Sequence, residues 1–365
     1  MESEQLVTEA CDAICLHSGA LCGKSRAPCQ MGRFSRKQIV LSKAFYSSGD
    51  VIADRRADYA RMLAEQGDHA AAAELMEQAL DMAPDWAAGW DLCGSYHEKA
   101  GQIAAAIAAW RRLEALDDDG VFGARLKLAA HKAGPAGEGT AVGYVEALFD
   151  QYAAKFEESL VGKLGYRVPD LLDDLVNAEM ARLGIGAFER ALDLGCGTGL
   201  MGEKLRAKVA HLEGVDISAA MIAETARKGI YDSLSKAELV ATLNARRADA
   251  DLVTAADVLI YCGALQPILG ALLPAMRPGG LVAFSLEAHD GEEEIFLRPS
   301  LRYAHGVEAT RNALVVAGLD LLRFETAVLR FDRGAPITGI LVVARKPAVE
   351  LTAANDEAEG GDVAA

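Results

Sequence analysis

The sequence predicts an α/β protein: a largely parallel sheet flanked by helices and closed by a terminal antiparallel pair, preceded by an all-α domain. Three observations carry that expectation. A short apolar run ending in an acid leads into a turn with alternating glycines at residues 190–202. Residues 321–331 and 336–344 alternate apolar and polar side chains around the turn Asp332-Arg-Gly334-Ala-Pro336. Nearer the start, Gly67, Ala72 and Met76 recur 34 residues later as Gly101, Ala106 and Trp110, a period typical of paired-helix repeats.

The turn is the most informative element. It reads Arg-Ala-Leu-Asp-Leu-Gly-Cys-Gly-Thr-Gly-Leu-Met-Gly. Leu192 and Leu194 suit a buried strand, and Gly195, Gly197 and Gly199 let the chain turn tightly while its backbone meets a ligand without intervening Cβ atoms. Two cofactor readings compete. Gly197-Thr-Gly199-Leu-Met-Gly202 satisfies the dinucleotide spacing, whereas Asp193, on the strand, would repel a pyrophosphate and suit an ammonium group. A second acid, Asp216, ends the next short strand, where a carboxylate can take both ribose hydroxyls.

The element Asp193 through Gly199, with Cys196 inside it, resembles motif I of class I S-adenosylmethionine-dependent methyltransferases. The resemblance implies a Rossmann-like sheet, S-adenosylmethionine as cofactor, Asp193 toward its ammonium and Asp216 on its ribose. It places Ile217 and Met221 beside the adenine, although Met221 also reads as helix core. Glu238, followed by Leu239, stands where the family often accepts from the adenine amino group, and equally suits a helix start. Residues 250–261 read as one buried strand with Asp257 and Tyr261 at its ligand-facing end. Arg277-Pro-Gly-Gly280 before an apolar strand over 281–287 is a further methyltransferase feature, and a helix is expected near residues 307–317.

The repeat period belongs to tetratricopeptide repeats. Trp90, Cys93 and Gly94 fit the first helix of the second repeat, and Ala79 and Pro84 fit the end of the first. A third unit near Val121 stops after one helix at Gly134-Pro-Ala-Gly-Glu-Gly139. The expected organisation is therefore an extension over 1–49, a repeat domain over 50–133, a linker over 134–140, a methyltransferase domain over 141–346 and a disordered acidic tail over 347–365. Two repeats and a cap fall short of a comfortable freestanding solenoid, so the module leans on the catalytic domain or on a protein partner.

Between linker and motif I, apolar residues at 145, 148, 149, 152 and 156 make one helix face. This segment resembles the lid of small-molecule methyltransferases. Tyr152, Tyr166 and Arg167 become candidates for the methionine carboxylate, with ordinary helix packing as the alternative for the tyrosines. Assembled, the chain resembles the bacterial group of methyltransferases that carry tetratricopeptide repeats. Its particular signatures are Phe149-Asp-x-Tyr152, Tyr166-Arg167-x-Pro169 and Ser300-Leu-Arg302-Tyr303-Ala-His305, the last with leucine where glycine is expected.

An acceptor that must lose a proton needs a base, and the candidates are Glu287, Tyr303 and His305. His305 leads, since its free pKa lies near neutrality, against the alternative that it caps the following helix. Of seven cysteines, Cys11, Cys15, Cys22 and Cys29 crowd near the start, either as a zinc site with unusual spacing or within a poorly ordered extension; no motif elsewhere marks a metal. With 365 residues, 51% hydrophobic content and a formal charge of -16, a nucleic-acid partner is not expected. No apolar run is long enough to span a bilayer and the start lacks a basic signal region, so a cytoplasmic protein with no membrane partner is expected. A small-molecule acceptor, a polypeptide docked through the repeats and a non-catalytic scaffold remain as function classes.

Overall fold

The computed structural model describes residues 47–135, 141–153, 156–157, 164–332 and 334–348. The four early cysteines, most of the expected linker and the tail from 349 lie outside the described residues. The described residues cluster as one unit.

The first helices form where the sequence supplies caps and small residues. Asp50 accepts from the Ile52 and Ala53 amides at 2.8 and 2.9 Å and so starts α1 (Val51–Glu65). Asp68 does the same for α2 (His69–Leu80) through the Ala71 amide. These helices, with α3 (Ala87–Lys99), α4 (Ile103–Glu114) and the short α5 (Ala124–Ala130), each pack on the next. Gly94 lies so close to the Trp110 indole that a Cβ would come within 2.3 Å of Nε1. Trp110, Met76, Ala72 and Ala106 are buried in one core with Tyr96 and Leu113.

After the undescribed linker residues, α6 (Val142–Tyr152) and α7 (Val168–Leu183) lead into the sheet. Its parallel core runs β3 (Ser233–Lys236), β2 (Val209–Asp216), β1 (Phe188–Leu194), β4 (Ala250–Ala255) and β5 (Met276–His289). The order reverses between β1 and β4, which opens a crevice at the carboxyl ends of those strands. Strand β9 (Ala335–Arg345) runs antiparallel along β5, and β8 (Asp320–Asp332) pairs with β9 from Asp320↔Arg345 to Asp332↔Ala335. The expected terminal hairpin is therefore present. Helices α8 (Leu200–Leu205), α9 (Ala219–Lys228), α10 (Leu239–Asn244), α11 (Gln266–Ala275) and α12 (Val307–Val316) complete an α/β, Rossmann-like fold.

Three elements differ from the sequence expectation. The strand expected over 250–261 stops at Ala255, because Asp257 adopts a left-handed φ of +61° and residues 259–261 form a single 3-10 turn. Strand β5 begins at Met276, so Arg277-Pro-Gly-Gly280 enters the sheet instead of preceding it. Between the strand expected over 281–287 and the helix expected near 307–317, where no strand is expected, lie β6 (Ile295–Leu297) and β7 (Tyr303–Gly306), which pair with each other, β7 also running parallel to the end of β5. Gly306, not His305, occupies the cap position of α12. Among the described residues no helix is long and apolar enough to cross a membrane.

Candidate active site

Strand alternation decides where the motif I acid points. Leu192 and Leu194 face the core shared with β5 and α11, so Asp193 between them faces the opposite layer. There it is buried, and both carboxylate oxygens are taken: Tyr231 Oη donates at 2.6 Å and Thr254 Oγ1 at 2.7 Å. Burial pushes its pKa from 3.8 up to about 6, against the two hydroxyl donors. The structure thus places Asp193 beneath the turn, out of the cavity.

Above it, Gly195 and Gly197 carry φ values of +64° and +53°. A Cβ on Gly195 would meet the Val258 side chain at 2.5 Å, whereas one on Gly197 would meet only Phe156, at 3.9 Å. One glycine is needed for close packing; the other leaves open space over the backbone. Asp216 accepts from the Gly197 amide at 2.9 Å and from the Ser218 amide at 2.8 Å, which ties the end of β2 to the turn. Burial raises its pKa, with the amide donors opposing. The neighbouring Asp150 on α6 accepts from Ser218 Oγ at 2.6 Å and from the Ala220 amide at 3.2 Å, so the lid helix is docked beside Asp216.

These parts line a cavity of about 120 Å³. Of the residues singled out from sequence, Gly195, Gly197, Asp216, Ile217, Glu238, Leu239, Asp257 and Tyr166 line it, together with Tyr261. Glu238 also caps α10, accepting from the Val240 and Ala241 amides. Val145, Phe149 and Phe156 roof the cavity, with Phe149 edge-on to Phe156 and to Tyr261 at centroid distances of 6.0 and 5.4 Å. Burial pushes the Tyr166 phenol well above its ordinary range and Tyr261 up to about 12. An open glycine backbone, a carboxylate at the next strand end and an aromatic roof fit an adenosyl amino acid. No pyrophosphate would sit comfortably over two buried acids.

Other predicted residues are not brought to the cavity wall. Met221 is fully buried on α9, Cys196 is buried with its thiol pushed up by burial, and Gly199 starts α8. Tyr152 is 52% exposed because α6 turns that face to solvent. Arg167 is exposed at the start of α7, where its amide donates to the Leu329 carbonyl. The three candidate bases also lie behind the wall. Tyr303 is buried, with burial raising its pKa. His305 is buried in β7 and donates Nε2–H to the Gly263 carbonyl at 2.9 Å, and burial lowers its pKa. Glu287 is 1% exposed and engaged by guanidinium groups.

That engagement is what sequence reasoning missed. Arg330, buried on β8, clamps both Asp257 oxygens at 2.8 and 2.6 Å and also bonds Glu287. Arg298 Nε lies 2.9 Å from the other Glu287 oxygen, and Arg302 Nε lies 3.4 Å from Glu287. Arg302 itself lines the cavity. The signal in the sequence was the Ser300-to-His305 signature, with Leu301 at a left-handed φ of +59° where the pattern expects glycine. No local cue linked it to Arg330, which arrives from the terminal hairpin.

The methyltransferase domain family matches residues 192–282. Malonyl-[acyl-carrier protein] O-methyltransferase of Enterobacter lignolyticus (strain SCF1) is 34% identical over 119 residues, 33% of this chain and 47% of that protein. Methyltransferase-like protein 27 of Homo sapiens is 30% identical over 47% of this chain and 66% of its own length. Trans-aconitate 2-methyltransferase of Pseudomonas paraeruginosa (strain DSM 24068 / PA7) is 42% identical over 26% of this chain and 34% of that protein. The chain thus spans about half the length of the first of these relatives and none of them along its whole length. Glycine turn, strand-end carboxylate, switch point and family match coincide on the same segment: residues 192–282 belong to a class I S-adenosylmethionine-dependent methyltransferase domain.

Proposed function

We propose that the protein transfers a methyl group from S-adenosylmethionine to a small-molecule acceptor. The observation that carries this reading is the enclosure of the glycine turn, Asp216 and an aromatic roof around one cavity. The cofactor, when bound, supplies a methyl group on a positively charged sulfur, already activated for transfer. The protein's part is placement and exclusion of water. Gly195 and Gly197 accept the amino acid end against bare backbone, Asp216 takes the ribose hydroxyls, and Ile217, Glu238 and Leu239 flank the adenine. Phe149 and Phe156 close over them. Asp193 acts as a positioning residue, holding the turn through Tyr231 and Thr254. Glu287 serves as counter-charge to the arginines, not as a base.

The small-molecule reading is supported by the apolar, aromatic lining of the cavity and by a relative named for trans-aconitate. We read the helical domain as tetratricopeptide repeats with a capping helix, serving a protein partner, on the 34-residue period and the stacked helix pairs. Calorimetry with S-adenosylhomocysteine tests the site: the wild type binds, Asp216→Asn binds about 10- to 100-fold more weakly, and a nicotinamide dinucleotide does not bind. Dinucleotide binding in place of S-adenosylhomocysteine overturns the reading. Labelled S-adenosylmethionine given with fractionated lysate should then mark small molecules; label confined to polypeptides favours docking through the repeats.

A further inference from the structure

We propose that the acceptor is a small carboxylic acid, held in the cavity by Arg302 and methylated on that carboxylate oxygen. This rests on the methyl transfer proposed above and names its substrate class.

The wall at the end of β5 carries an uneven set of charges. Arg330, Arg298 and Arg302 face only two enclosed carboxylates, Asp257 and Glu287. Arg330 consumes most of their capacity, clamping Asp257 with both oxygens and bonding Glu287 as well. What remains for Arg302 is 3.4 Å to Glu287 and 3.7 Å to the half-exposed Asp332. Its buried Nε lies near Glu287 without being aligned to hydrogen-bond to it. A guanidinium so placed on the wall of an aromatic cavity presents a planar fork, and the ligand that matches it is a carboxylate.

The rest of the lining points the same way. Asp216 is bonded to two backbone amides and faces the ribose, Glu238 caps the start of α10 and Asp257 is clamped by Arg330. Tyr166 and Tyr261 keep their protons far above neutrality. An alcohol or ammonium acceptor must surrender a proton, and each described acid on this wall is already engaged. A carboxylic acid arrives deprotonated. Its oxygen lone pair forms the new O–C bond as the S–C bond breaks, and that bonding pair stays on sulfur, which becomes an uncharged thioether. The product is a methyl ester, and no proton changes hands.

The test uses the full chain loaded with S-adenosylhomocysteine and a panel of small aliphatic and aromatic mono- and dicarboxylates, each paired with its amide. Calorimetry is expected to show binding of at least one carboxylate and of no paired amide. Arg302→Gln should weaken that binding about 100-fold and Arg302→Lys about tenfold, beyond any change in S-adenosylhomocysteine affinity measured on the same variants. With methyl-labelled S-adenosylmethionine, the bound acid should acquire label that mild alkali releases as methanol. Equal binding of acid and amide, no carboxylate bound, alkali-stable label, or unaltered binding in Arg302→Gln would each overturn the proposal. Failure to bind S-adenosylhomocysteine would instead overturn the methyltransferase reading beneath it.

Discussion

Asp193 shows how a single side chain can sit in a binding motif without facing the ligand. Period-two alternation sends it away from the leucines on either side, and its two oxygens meet the hydroxyls of Tyr231 and Thr254. With its pKa raised from 3.8 to about 6, the folded state holds a proton that the unfolded chain has already lost across that interval. The associated stability is therefore fully present below pH 3.8 and disappears as pH rises through about 6, a difference on the order of 3 kcal/mol. Asp193→Asn, neutral throughout, should remove that slope. Denaturant midpoints measured across the interval check it, and an unchanged slope in the variant would falsify the assignment. Asp257 and Leu301 illustrate the same scale differently, since both hold left-handed φ angles that place a neighbouring side chain on the cavity wall.

At the scale of elements, the helical hairpins depend on a few close approaches. Trp110 on α4 fills the space that Gly94 leaves on α3 and is 1% exposed. Trp110→Ala should cost about 3–5 kcal/mol, seen as loss of helical signal at lower denaturant, because the surrounding alanines cannot collapse into so large a void. The repeat period put Met76 and Trp110 in one register and marked both as core, but the approach of Trp110 to Gly94 shows only in the structure. The cavity wall had no such cue. Residues 288–305 hold two short strands whose apolar runs are too brief to show periodicity, and only β5 pairing with β7 makes them strands. Likewise Glu287, read as a base from its position on a strand end, becomes a counter-charge once Arg330 arrives.

Across the whole molecule, α6 is the shared part. On one side Gly143 packs against the Asp119 carbonyl and Tyr144 lies over Gly123; on the other, Val145 and Phe149 roof the cavity and Asp150 holds the start of α9. A Cβ at Gly143 would stand 2.1 Å from the Asp119 oxygen, so Gly143→Ala must push the lid helix off the helical domain. S-adenosylhomocysteine affinity should fall by about tenfold although the substitution touches no cavity atom, and calorimetry reads this directly. An affinity identical to wild type would show that the roof is held from the sheet side alone. Through Gly143 and Tyr144, α6 rests on the chain between Asp119 and Gly123.

Local chemistry determined the turn, the parallel strands on either side of it, the terminal hairpin, the repeat register and the cavity residues Gly195, Gly197, Asp216, Ile217, Glu238 and Leu239. Each depends on neighbours in sequence: glycine freedom, strand alternation, or a fixed period. Which acids face the cavity, where the arginines converge and which tyrosines line it depended on tertiary structure. Those outcomes are set by side chains meeting from β4, β5, β7 and β8, elements separated by dozens of residues, and by burial that forces every enclosed charge to find a partner.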